Sequence, residues 1–275
     1  MLLTADYGGR VATYGDPLDT DRLRTELADA DSLWHELIVV PETDSTNADL
    51  AEAARAGAPG GVVLVADHQL AGRGRLGRTW TAPAGSSIAM SVLLRPEREP
   101  ADWTWLPLLA GLAVADSLRA VGGVPAALKW PNDVLVEGAK ISGILAERVD
   151  SPSGATCVLG MGINVHLTAE QLPVPTATSL AVLRPGESFV RAEIVSTVLA
   201  ALALLYHRWE DGRDKQLIGE YERRCATLGR QVRVHRPDGS TVEGKAVGVD
   251  AQGRLRVRTA GQVVVFAAGD VTHLR

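Results

Sequence analysis

The sequence predicts an α+β protein, a mixed β-sheet with helices followed by a small all-β module. Three observations lead there. Strand-like runs stand on both sides of a long apolar helical segment, Trp103 to Val121, which ends at Gly122-Gly123. Between residues 127 and 165, four strand-like runs follow one another with only turn residues between them, a meander of hairpins rather than βαβ units. From Leu228 onward, short β-rich runs alternate with turn signals at close spacing, the mark of a small β-barrel.

Taken in order, a leading helix over Thr20 to Trp34 starts behind a Thr20 or Asp21 cap and places Leu23, Leu27 and Trp34 at helical spacing. A strand (Leu37 to Val40), a helix (Thr46 to Ala56, stopped by Gly57) and a buried strand (Val62 to Ala66) follow. After a basic, Gly-rich loop, Ser87 to Leu94 alternates as a strand and leads to the long helix. The hairpin strands are Ala127 to Trp130, Val134 to Val136, Lys140 to Val149 and Thr156 to Val165, divided by Pro131, Gly138 and Ser153-Gly154. Helices over Arg191 to Glu210 and Lys215 to Ala226 close this part. The β module takes Gln231 to His235, Thr241 to Val249, Leu255 to Thr259 and Gln262 to Ala267. The expected division is an N-terminal extension with a helix (1–34), a main domain (35–227) and a C-terminal barrel (228–275).

Composition narrows the function classes. With 275 residues, 46% hydrophobic and 22% charged, the chain can bury a full core. Its net charge of -5 argues against broad binding to nucleic acid or anionic lipid, while leaving local basic clusters open. The longest apolar run, Val195 to Tyr206, is too short to span a bilayer, and the N-terminus shows no leader. Cys157 and Cys225 are far apart and in no metal-type spacing, so both read as reduced core residues of a cytoplasmic protein. The six histidines form no ligand pair.

The most informative stretch is Gly72-Arg73-Gly74-Arg75-Leu76-Gly77-Arg78, between Gln69 and Trp80. Its glycines match a dinucleotide fingerprint, but Pro83 and Gly85 follow and no helical period begins, so the Rossmann context is missing. Glycines instead let backbone N–H groups wrap a phosphate, and interleaved guanidiniums add forked donors for an anion. A solvated surface loop is the competing account. Three arginines among four non-glycine positions, with glycines that make an ordered empty state entropically costly, also predict a loop that is mobile until an anionic ligand arrives.

Weaker signals stand elsewhere. Lys129-Trp130-Pro131-Asn132-Asp133 ends a strand at Pro131 and leaves Asn132 and Asp133 at its tip, where Mg²⁺ or a ribose could be met, or where there is simply a turn. Lys140 and Ser142 of Lys140-Ile141-Ser142-Gly143-Ile144 share a strand face by period two, with an edge-protecting lysine as the alternative. Gly160-Met161-Gly162-Ile163-Asn164 sets small residues ahead of a polar side chain, as a β-bulge would also do. Asp44-Ser45-Thr46-Asn47 starts a helix with Thr46 and Asp49 in capping-box spacing, and its hydroxyls also suit a neutral carbonyl or ureido oxygen.

In this order, Ser45-Thr46-Asn47, Gln69, Gly72 to Arg78, Trp80, Lys129 to Asp133, Lys140 to Ile144 and Gly160 to Asn164 resemble the bacterial biotin-protein ligases. The match runs from about Val40 to Asn164, and the terminal β module fits as well. The resemblance implies a fold related to class II aminoacyl-tRNA synthetases and lipoate ligases, followed by an SH3-like barrel. It implies an enzyme that uses ATP and Mg²⁺ to make biotinyl-5'-AMP and then biotinylates a lysine of a biotin carboxyl carrier domain. Biotin would be held by Ser45, Thr46, Asn47, Gln69, Arg73, Gly74, Arg75 and Lys140. ATP or the adenylate would be met by Arg75, Arg78, Trp80, Lys129, Asn132 and Asn164. Arg75, Lys140 and Asp133 would serve catalysis, with Asp133 positioning Mg²⁺. Members that repress transcription carry a winged helix-turn-helix ahead of the ligase core, and Met1 to Trp34 is too short for one, so specific DNA binding is not expected. The oligomeric state, monomer or weak homodimer, stays open. Two other readings remain: a lipoate- or octanoate-protein ligase, whose apolar substrate would not need the Ser45-Thr46-Asn47 cluster, and a non-enzymatic nucleotide- or RNA-binding module.

Overall fold

The computed structural model describes residues 18–26, 33–152 and 154–274. The first helix, α1, covers Thr20–Glu26. Residues 27–32 of the expected continuation to Trp34 lie outside the described residues, and its end is corrected, since Leu33 and Trp34 are not helical. Leu23 is fully buried, and the Trp34 indole donates to the Leu199 carbonyl at 2.9 Å.

The main sheet opens with a parallel step. β1 (Glu36–Thr43), α2 (Thr46–Arg55) and β2 (Val62–Gln69) form one βαβ unit, paired from Glu36 opposite Val62 to Thr43 opposite Gln69. β3 (Ser87–Leu94) returns antiparallel to β2, and α3 (Leu106–Ala120) follows. The predicted meander is present as β4 (Ala127–Lys129), β5 (Asp133–Val136), β6 (Ala139–Ser151) and β7 (Gly154–Asn164). β7 then pairs with β3, giving a seven-stranded mixed sheet in the order β1-β2-β3-β7-β6-β5-β4. A four-residue helix, α4 (Leu180–Leu183), precedes the long α5 (Arg191–Glu210) and α6 (Asp214–Arg224).

Alternating residues of the strands serve two separate layers. Val63 and Val65 face a core built with α3 and α5, while Val62 and Leu64 pack with Leu50, Ala51 and Ala54 of α2 on the other face. This corrects the expectation of an alternating β3. All eight of its residues are buried, because the central strand is covered on both sides.

The C-terminal module is a five-stranded antiparallel sheet of β8 (Gln231–His235), β9 (Thr241–Val249), β10 (Leu255–Arg258), β11 (Val263–Phe266) and β12 (Asp270–His273), in the order β11-β10-β9-β8-β12. The last strand escapes the sequence reading. Two indoles fasten this sheet to the main one: Trp105 donates to the Ala251 carbonyl at 2.7 Å and Trp130 to the Gly253 carbonyl at 3.1 Å. At the same seam His273 lies 3.1 Å from the Thr227 hydroxyl, and burial, with Lys129 and Arg230 nearby, pulls its pKa down to about 4. The unfolded chain therefore takes up a proton on this side chain near pH 6.5 while the folded chain resists until about pH 4. The stabilisation is present above pH 6.5 and is lost as pH falls toward 4. Thermal unfolding across that window should show a smaller loss of Tm in His273→Gln than in the parent.

Candidate active site

A cleft of about 510 Å³ opens where the start of α2, the loop after β2, the β4–β5 turn, and β6 and β7 meet. The β8–β9 turn and the start of β12 close its remaining side. Among the lining residues, six basic side chains (Arg73, Arg75, Arg78, Lys129, Lys140, Arg236) face two acids, Asp133 and Asp270. A cationic cleft in a chain of net charge -5 is a local field suited to gathering anions.

One end of the cleft is polar and uncharged. Ser45, not Thr46, caps α2, without a side-chain bond to the helix; this puts Ala48 rather than Asp49 at the third helical position, so the expected capping box is not formed, and the Asp49 carboxylate accepts from Thr43 Oγ1 at 2.5 Å. Ser45, Thr46 and Asn47 are nevertheless buried at the cleft wall. Gln69 Oε1 accepts from the Thr46 backbone N–H at 2.9 Å and lies 3.1 Å from Thr46 Oγ1. The Thr46 hydroxyl also meets Ser91 Oγ at 2.7 Å, and Ser91 donates to Asn47 Oδ1 at 2.7 Å.

The floor is glycine. A Cβ on Gly160 would collide with Asn47 Oδ1, and one on Gly162 would enter the Trp80 indole, 2.7 Å from Cζ2. Trp80 thus lies flat on β6 and β7, with Lys140 Nζ 5.9 Å from its ring centroid. Its indole N–H is buried and has no partner among the described residues. Gly162→Ala should push the indole off the strand, lowering stability by about 1–3 kcal/mol and weakening binding to the cleft. Chemical denaturation and ligand titration of the variant check this.

Lysine and aspartate meet at the centre. Lys140 Nζ lies 2.6 Å from Asp133 Oδ1, and Lys129 Nζ lies 3.8 Å from Asp133 Oδ2. Lys140 does not share a face with Ser142 as period two predicts. A β-bulge between Val134 and Leu135 pairs Leu135 with Lys140 and Val134 with Ser142, leaving Ile141 unpaired and resetting the alternation. Lys140 and Gly143 line the cleft, whereas Ser142 is fully buried outside it. An edge-guarding role also fails, since β6 is flanked by β5 and β7.

The basic loop folds back on itself. Trp80 N–H donates to the Gly72 carbonyl at 2.8 Å, Arg73 bridges Thr79, and Gly74 N–H donates to the Arg78 carbonyl at 2.7 Å. Its tip is a short 3₁₀ turn, Arg75–Gly77, in which Leu76 takes the left-handed conformation (φ 56) that a branched residue adopts at a cost. Arg75 Nη1 donates to Asn132 Oδ1 at 3.0 Å and Nη2 to the Gly269 carbonyl at 3.1 Å. Asp270 lies 3.5 Å from Arg75 and bonds Arg78. Burial lowers the Arg75 pKa from its ordinary value, with Asp270 and Asp133 opposing that shift. Arg75 and Arg78 therefore already share a carboxylate partner, Asp270.

All the sequence-predicted site residues line the cleft except Asn164. That residue is buried, and its amide donates to the Thr178 carbonyl at 2.9 Å. Asn132 also holds the turn, donating to the Ile144 carbonyl at 2.8 Å. Sequence reasoning missed Ser91 and Asp270. The only signal for Ser91 was a hydroxyl inside an otherwise apolar strand. Asp270 gave none beyond a Gly-Asp turn.

The biotin/lipoate A/B protein ligase family matches residues 39–164, and the biotin protein ligase C-terminal domain matches residues 227–274. The chain is 47% identical over 264 residues to the biotin–[acetyl-CoA-carboxylase] ligase of Mycobacterium tuberculosis, covering 94% of this chain and 97% of that protein. The chain belongs to the biotin protein ligase family. The ligase of the same description from Paracoccus denitrificans is 35% identical over 238 residues, 84% of this chain and 98% of its own. Among solved structures, the biotin protein ligase of Aquifex aeolicus in complex with biotin and ATP matches with a TM-score of 0.76 at 30% identity, covering 88% of this chain and all of that one. The fold is that of the biotin protein ligases: a mixed sheet of the class II synthetase kind with an SH3-like C-terminal module. Among the described residues, no helix is long and apolar enough to cross a membrane.

Proposed function

We propose that the chain is an ATP-dependent biotin-protein ligase, which makes biotinyl-5'-AMP from biotin and ATP and transfers the biotinyl group to a lysine of a biotin carboxyl carrier domain. The observation that carries this reading is one cleft joining a neutral hydrogen-bonding end, at Thr46, Asn47 and Gln69, to a lysine and a loop of arginines. A ureido group fits the first and two anions fit the second. Ser45 and Gly74 line the same pocket, and Arg73 belongs to the same basic wall.

In this reading the biotin carboxylate oxygen attacks the α-phosphorus of ATP and pyrophosphate leaves. Both reactants are anionic, so their approach is opposed until cations stand beside them. Lys140 meets the carboxylate, while Arg75, Arg78 and Lys129 face the phosphates. Trp80 covers the reacting ends and excludes water. The target lysine then attacks the acyl carbon as a neutral amine and AMP departs. Its unperturbed pKa of about 10.4 requires that a proton be shed first.

Among the described residues no group of three His, Cys, Asp or Glu side chains gathers to hold a metal. A Mg²⁺ ion carried largely by phosphate oxygens and water needs few protein ligands, and Asp133, one of two carboxylates lining the cleft, would meet it. The ion would neutralise phosphate charge. Within the proposed division, 35–227 forms the ligase domain and 228–275 the terminal module, which reaches the cleft through Gly269 and Asp270.

The test is exchange of labelled pyrophosphate into ATP. Purified protein with Mg²⁺ should exchange when biotin is added, and not with lipoate or octanoate. Equal exchange with octanoate would move the chain to the lipoyl side of the family.

A further inference from the structure

A second cavity, of about 330 Å³, lies beside the cleft and has no part in the chemistry above. Arg75, Trp130, Pro131, Asn132 and Ile144 line both spaces and so form a common wall. Arg75 closes that wall, bonding Asn132 in the β4–β5 turn and the Gly269 carbonyl of the terminal module. Beyond it the cavity runs between Trp103, Pro107 and Ala146 of the main domain and Gly253, Ala267 and Ala268 of the terminal module. Ala146, Ala267 and Ala268 are exposed, so this end meets solvent.

The charges that face this space have one sign. Among the described residues its lining holds two cations, Arg75 and Arg148, and no carboxylate. Arg148 pairs at 3.0 Å with Asp150, which is outside the lining, and Asp133 and Asp270 face the cleft instead. Cys157 of β7 also lines the cavity, and burial pushes its thiol up to about 12, so it stays neutral.

We propose that this cavity is the entry passage for the acceptor lysine, and that it frees the amine of its proton by desolvation and like charge rather than through a general base. The proposal rests on the biotin-ligase reading, in which a third reactant must reach the acyl-adenylate while the arginine loop stays tied across the cleft. The four methylenes of a lysine suit walls of indole, proline and alanine, whereas its ammonium does not. Between two guanidiniums and without a carboxylate, the charged form is disfavoured twice over, so the lysine pKa falls. The first proton goes to bulk water at the entrance. The neutral nitrogen then attacks the acyl carbon, the amide bond forms, the bond to the AMP oxygen breaks, and the second proton leaves with the departing AMP.

Single-turnover transfer from enzyme-bound biotinyl-5'-AMP to an isolated biotin carboxyl carrier domain, followed across pH beside pyrophosphate exchange, tests this. Parent transfer should titrate below the free-lysine value of about 10.4. Ala146→Trp and Ala268→Trp, one from each wall, fill the passage and should slow transfer at least about tenfold while exchange stays within about twofold. Ala268→Glu places a carboxylate beside the entering ammonium. The apparent pKa of transfer should then rise by about one unit, which cuts the rate near pH 7 about tenfold and restores it at high pH. Unchanged transfer in both tryptophan variants overturns the passage, and so does a parallel loss of exchange, which would assign the cavity to the first half-reaction. A profile that stays in place or moves to lower pH in Ala268→Glu overturns the desolvation step, the second result because the added carboxylate would be acting as a base. Wild-type protein without biotin-dependent exchange overturns the ligase reading itself, whereas active wild type with unaffected variants overturns the passage alone.

Discussion

Lys140→Ala should lower the rate of adenylate formation roughly 10²–10³-fold while the protein remains folded, the loss seen when one preorganised donor to a developing charge is removed. The ammonium stands 2.6 Å from Asp133 on an interior strand, in the cleft and over the Trp80 ring. Without it the ion pair left to Asp133 is the longer one with Lys129, at 3.8 Å, and the carboxylate of the substrate would meet an acid instead of a base. Single-turnover adenylation with Tm measured in parallel separates this from misfolding. Activity near that of the parent with an unchanged Tm would remove Lys140 from the mechanism.

Arg75→Gly should give an enzyme that still makes the adenylate but lets it escape. Arg75 ties the loop tip to Asn132 on one side and to Gly269 and Asp270 on the other, so its removal frees the loop from both walls at once. Losing two charge-assisted hydrogen bonds, each worth about 1.5–3 kcal/mol, is enough to speed opening by at least a hundredfold. A released mixed anhydride acylates any neutral amine it meets. Lysines of an unrelated protein added to the reaction should therefore become biotinylated, as read by mass spectrometry. Labelling confined to the carrier domain would show that Arg75 does not retain the intermediate.

Most strands and helices of the main sheet were legible because their signals are local: apolar periodicity, Gly and Pro stops, and hairpin turns. What escaped depends on the third dimension. The burial of every β3 residue follows from the strand's central place between two helix layers, which no run of eight residues encodes. The bulge at Ile141 changes which side chains accompany Lys140, yet an inserted residue looks like any other in sequence. At the site, the glycine-rich loop and the lysines were readable by residue type and order. Ser91 and Asp270 were not, because each acts through a partner more than 40 residues away in the chain. Asn164 illustrates the opposite failure, a polar residue in the right motif whose amide is engaged with Thr178.

Asp270 belongs to the C-terminal module, while the arginines it meets belong to the loop after β2. The two family segments of this chain are consequently not interchangeable parts. A chimera that grafts another ligase's terminal module onto this core would inherit Arg75 and Arg78 without their own countercharge, unless an acid arrives at the same place. Trp105 and Trp130 would likewise need carbonyls of the right spacing in the incoming module. Swapping modules to change acceptor preference is therefore a problem of matching a seam of named contacts, and Asp270 should be carried over together with the loop it neutralises.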